Sequence, residues 1–143
     1  MKKRFLFGFV TLLALTIVPL AGCSTTLKTS NLVNGAITVK AGSYYEVPFT
    51  ITSAMTNSSV QGSFTASGGS GNDIIVLVFD DTSFFNWVNG HQSTPIYNSG
   101  QLTTYNINAS ITTPGTYHLV FSNMFSLVTS KQVTTSVNLQ YYQ

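Results

Sequence analysis

The chain has 143 residues, 43% of them hydrophobic and only 7% charged, with a formal net charge of +2. Half of its six basic residues, Lys2, Lys3 and Arg4, stand at the start; beyond them Lys28, Lys40 and Lys131 oppose Glu46, Asp73, Asp80 and Asp81, a net charge of −1. That balance excludes a basic stripe for nucleic-acid phosphates and a polybasic patch for anionic lipid, and a single cysteine excludes an internal disulfide.

The basic head runs into an apolar stretch, Phe5 to Leu20, that closes in Leu20-Ala21-Gly22-Cys23. A retained transmembrane helix needs about 20 apolar residues, whereas this stretch is short and holds Pro19, so a cleaved signal over residues 1–22 fits better. The four closing residues resemble the lipobox of prokaryotic lipoproteins. The resemblance implies export, cleavage before Cys23, and lipid on the Cys23 sulfur and amine. The protein is then expected at the cell membrane or outer membrane, lipid-anchored and facing outside the cytoplasm. Residues 23–35, rich in Ser and Thr and ending in Asn34-Gly35, predict a tether, with an edge strand through Leu32 and Val33 as the alternative.

From Ala36 to Gln143 the pattern predicts one all-β domain. Tyr45, Val47, Phe49 and Ile51 alternate with polar residues, as do Val60, Gly62, Phe64 and Ala66, then Tyr105, Ile107, Ala109 and Ile111. Ile74 to Phe79 is apolar on both faces and predicts a central strand. After Pro114-Gly115 come Tyr117, Leu119 and Phe121, then Val133, Val137, Leu139 and Tyr141. No stretch carries a helical period of adequate length, and Gly68-Gly69-Ser70-Gly71 predicts a hairpin or loop connection. Seven or eight short strands with turn residues between them predict an antiparallel β-sandwich of the jelly-roll kind.

Residues Gly115, Tyr117, Phe121, Ser122, Asn123, Ser126, Lys131 and Val133 fall at the spacing of the last strands of a GOLD domain, and the segment is similar to that of the p24 (emp24/gp25L) family. The resemblance implies a GOLD-like sandwich and a role in binding other molecules. Val120 stands where those proteins carry a cysteine of their domain disulfide, so that bridge does not carry over. Physical roles for the matched residues are structural: Asn123 suits a tight turn and tolerates left-handed backbone, and Lys131 lays its stem on aromatic rings with a wet head.

The chemistry-bearing residues are few. His118, opposite the core face of its strand, is expected at the surface; His91 lies in a loop. No nucleophile sits beside a base, and no Cys and His pair has zinc spacing. Asp80-Asp81, with Asn86 and Asn89 nearby, serves either a turn or a hard cation. The segment from Asp81 to Tyr97 is expected to be long, irregular and aromatic. Phe84, Phe85, Trp87, Asn89, His91 and Tyr97 form a binding surface suited to a protein or glycan partner, unless Phe84, Phe85 and Trp87 instead plug the open end of the sandwich. Asn57 and Asn108 head glycan acceptor sequons. These residues predict a binding or interaction module that is not an enzyme and needs no cofactor, held to the membrane through Cys23. A structural subunit of the cell envelope and a carbohydrate-binding domain are the alternatives.

Overall fold

The computed structural model describes residues 25–69 and 71–143; the leader and Cys23 lie outside the described residues. Eight strands and one helix follow in chain order: β1 (Leu27–Val39), β2 (Tyr44–Ile51), β3 (Thr56–Ser67), β4 (Ile74–Asp80), α1 (Asp81–Val88), β5 (Tyr97–Leu102), β6 (Thr104–Ile111), β7 (Gly115–Ser122) and β8 (Lys131–Tyr142). They form two antiparallel four-stranded sheets, ordered β1-β8-β3-β6 and β2-β7-β4-β5. That order is a jelly roll, in which the first and last strands lie side by side.

The period-two pattern explains the core. Val60, Phe64, Ile107, Val133 and Val137 point inward from one sheet and meet Phe49, Val76, Val78, Leu119 and Phe121 from the other. Tyr45 and Tyr105 continue the inward faces on the edge strands β2 and β6, where they stay exposed. The Tyr117 hydroxyl is buried and donates to the Thr113 carbonyl at 2.7 Å, clamping the turn through Pro114. Gly62 is required by close approach: a Cβ there would lie 2.1 Å from the Ser136 carbonyl oxygen of β8.

Several expectations need correction. From Leu27 onward the tether gives way to the alternative, an edge strand through Leu32 and Val33: β1 begins there and pairs with β8 along its length. Thr26 and Gln143 extend the ladder with two backbone bonds of 2.9 and 3.1 Å. The reason is the open edge of β8, whose backbone groups need a partner, together with Val33, which buries against the core. Of the two readings of the Gly68 to Gly71 segment, the loop connection holds and the hairpin does not, since it crosses between β3 and β4, which lie in opposite sheets.

The Lys131 head is not wet. The residue is 3% exposed, and its ammonium donates to the Gly68 carbonyl and to the Asp73 carboxylate, both at 2.8 Å. These bonds tie the crossover to the start of β8. Lys131 and then Gln101, by hydrogen bonding, hold the Asp73 carboxyl below its usual range. Asn123 is fully buried, and its side-chain amide donates to the carbonyls of Val39, Lys40 and Thr129. It fixes the β7–β8 turn by these bonds rather than by left-handed backbone; the positive-φ residues other than glycine, among those described, are Asn57 and Asn72.

Candidate functional site

The segment after β4 is not irregular throughout. Asp80 caps α1: its Oδ1 accepts from the Ser83 amide at 2.8 Å and its Oδ2 from the Ser83 hydroxyl at 2.9 Å. Those bonds, the amide first, hold the Asp80 carboxyl below its usual range. The helix stops at Gly90, whose φ of 71° only glycine adopts readily. Gly90 donates its amide to Trp87 and His91 donates its amide to Asn86, closing a Schellman motif.

The helix lies on the outer face of the β2-β7-β4-β5 sheet, where it buries a second apolar cluster of Leu77, Phe79, Phe84 and Val120. His118 belongs to this layer and corrects the surface expectation. It does point away from the main core, but α1 covers it and leaves it 5% exposed. Its Nδ1 lies 2.7 Å from a Glu46 oxygen of β2 and its Nε2 lies 3.0 Å from an Asp81 oxygen of α1. The Phe84 ring stacks on it at 4.1 Å between centroids, 11° from parallel. With both nitrogens facing carboxylates, the imidazole holds the helix down. The two carboxylates of Asp80-Asp81 are likewise engaged, one as a cap and one on His118, which favours the turn reading over the cation reading.

Beside the helix a groove of about 370 Å³ opens on the outer face of the sheet. Ile75, Leu77 and Phe79 floor it, Trp87 walls one side, and Met124 and Phe125 of the β7–β8 turn wall the other. Ser93 and Asn98 bring polar groups to the groove, the buried Ser122 beside Ile75 adds one to its floor, and none of its lining residues is charged. Trp87 is half-buried, held by edge contact with Tyr44 at 5.1 Å and by Phe79 at 5.5 Å. Such a groove suits a neutral, largely apolar group that meets an aromatic ring and a few hydrogen-bonding side chains.

The aromatic candidates separate. Phe84 is buried, but on the outer face of the sheet, stacked on His118 beneath α1, and not as a plug at the end of the sandwich. Phe85 projects into solvent from the helix, and Trp87 lines the groove. Asn89 is the helix C-cap, with its side-chain amide on the Phe85 carbonyl at 2.7 Å, and His91 lies exposed just beyond; neither lines the groove. Tyr97 packs against the main core, where burial raises its hydroxyl pKa, so it too faces away from the groove. Its neighbour Asn98, on the other face of β5, lines the groove instead. Pro95, within the segment from Asp81 to Tyr97, and Met124 and Phe125, outside it, complete the lining, and the last two are residues that a reading centred on that segment misses. Their signal is an apolar run in a turn, Met124-Phe125 with Leu127-Val128, where polar residues are the rule.

A larger hollow, about 760 Å³, lies over β3 and β6 and is lined by uncharged side chains, among them both sequon residues Asn57 and Asn108. Among the described residues no helix is long and apolar enough to cross a membrane, and no group of three or more His, Cys, Asp or Glu is placed to hold a metal ion. No family model and no curated protein sequence matches this chain.

Proposed function

We propose that this chain is a lipid-anchored, extracytoplasmic binding module, attached through Cys23 and recognising a neutral, apolar group of a partner in the groove beside α1. The observation that carries the reading is that groove: uncharged, about 370 Å³, and walled by Trp87 on one side and Phe125 on the other. The lipobox residues supply the anchor, and the likeness of Gly115 to Val133 to a GOLD domain agrees with a binding role on a sandwich scaffold. The site offers recognition and no reaction, since His118 spends both nitrogens on Glu46 and Asp81 rather than on a nucleophile. An apolar protein segment fits the floor of Ile75, Leu77 and Phe79 better than a sugar, whose hydroxyls need more than the polar groups of Ser93, Asn98 and Ser122.

Two measurements on the full chain test this. Mass spectrometry of the mature N-terminus is expected to find lipid on Cys23; an unmodified protein starting elsewhere, or a Cys23→Ala form still processed and held in the membrane, defeats the anchor. Trp87 is expected to be reached by acrylamide, and Trp87→Ala to keep the sheet signature in circular dichroism at a cost of about 2 kcal/mol, below that of a fully buried ring. A protected Trp87 whose removal unfolds the domain makes the groove part of the core.

A further inference from the structure

The β7–β8 turn carries the most exposed large apolar side chains among the described residues, Leu127 at 91% and Val128 at 89%, beside Met124 at 52% and Phe125 at 37%. Solvated apolar residues scattered singly need no explanation, but four within five positions form a patch that marks an interaction site. The turn is held rigidly outward. Asn123 anchors its start, the Ser126 hydroxyl donates to the Thr129 carbonyl at 2.9 Å, and the Thr129 amide donates back to the Ser126 hydroxyl at 3.2 Å. The tip therefore stands beside the groove of its own molecule without filling it.

We propose that the Leu127–Val128 tip of one molecule enters the α1 groove of a second copy, and that the exchange is mutual, giving a two-fold dimer. The inference rests on reading the groove as a binding surface and names the partner that fills it. Tip and groove are complementary in kind: residues 123–130 carry no charge, and neither does the groove lining. A projecting apolar wedge and an apolar receptor side by side on one surface make that surface self-complementary, the condition for an isologous contact. Phe125 belongs to both, as groove wall and as base of the tip, so it lies nearest the two-fold axis.

The ends of the chain leave this contact open. Leu27 pairs with Tyr142 at one end of the sandwich, while the Val39 carbonyl accepts from Asn123 at the other. The thirteen residues of β1 at roughly 3.3 Å each put the tip about 40 Å from where the chain enters the domain. The entry at Leu27 and the tip thus stand at opposite ends of the sandwich, and two copies anchored through that entry meet side by side with both tips away from their membrane. A phospholipid surface is the weaker occupant, because headgroups call for cations around the apolar wedge. The turn supplies none, the Lys131 ammonium is taken by Asp73, and Lys40 is left as one exposed cation nearby.

Intermolecular cysteine trapping in membranes from cells making two tagged copies of the full chain tests the proposal. One copy carries Leu127→Cys and the other Asn98→Cys, both exposed positions that leave the core untouched. After mild oxidation a mixed dimer is expected, about tenfold stronger than with Thr50→Cys, an exposed β2 residue outside the groove, as the second site. Adding Val128→Asp to the first copy should abolish it. No dimer, equal trapping at Thr50→Cys, or persistence with Val128→Asp overturns the proposal, a tip buried in lipid giving the first of these. Maleimide labelling of the untrapped Asn98→Cys copy separates the two readings: labelling without trapping leaves the groove open and discards the dimer, while neither labelling nor trapping discards the groove as well.

Discussion

A histidine between Tyr117 and Leu119, in a strand whose alternate residues form the core, reads as a surface residue because period two sends it to the other face. The direction is right and the burial is not, since what covers that face is α1, contributed 37 positions earlier through Asp81. Lys131 misleads in the same way: its partner Asp73 is 58 positions away. Core positions such as Leu119 and Phe121 are legible because strand alternation is local, whereas the partners of buried polar groups are long-range pairings that no local pattern carries. Replacing His118 by Ala removes the stack on Phe84 and leaves Glu46 and Asp81 without their shared partner. We expect a loss of about 2–3 kcal/mol in urea unfolding, with Trp87 emission moving to the red as α1 loosens. A change within about 0.5 kcal/mol, as for an ordinary surface site, would show that the helix does not rest on the imidazole.

At the scale of the element, α1 was within reach of the sequence: an Asp cap, a Ser three residues on, and a Gly two residues past the last turn. What hid it is length. Eight residues give two turns and one fully buried side chain, Phe84, too little for a helical period to stand out in an aromatic segment. So short a helix is held by its caps and by the layer beneath it rather than by propensity. Acid therefore acts on specific joints. Asp80 at the cap and Asp73 at the crossover both have depressed carboxyl pKa values, so folding favours their ionised forms. Their stabilisation is complete above the unfolded value of 3.8 and is lost as pH falls through the lower folded values. Chemical denaturation from about pH 7 down to pH 2 should show stability falling below about pH 4, and Asp73→Asn should start lower and fall less over that range. An unchanged acid slope in Asp73→Asn would mean that the Lys131 pair contributes nothing to the fold.

For the whole molecule, the strand pattern carries the sandwich, and the two-sided apolar run from Ile74 to Phe79 marks a strand that is covered on both faces, by the other sheet and by α1. The boundary was less legible. A Ser- and Thr-rich segment reads as a tether, yet a polar strand at a sheet edge has the same composition, because one of its faces is wet. Only the jelly-roll order, which sets the first strand beside the last, assigns residues 27–35 to the domain. The consequence is measurable. A fragment of residues 36–143 keeps every residue of seven strands but strips most of β1, uncovering the backbone of β8 from Thr135 to Tyr142 and the part of the core that Val33 covers. A bare strand edge is a template for pairing with other chains. We expect the fragment of residues 25–143 to unfold cooperatively as a sheet protein, and the 36–143 fragment to lose several kcal/mol and to aggregate as it unfolds. Equal stability of the two in urea would return residues 27–35 to the role of a tether and leave β1 as an accessory to a seven-stranded fold.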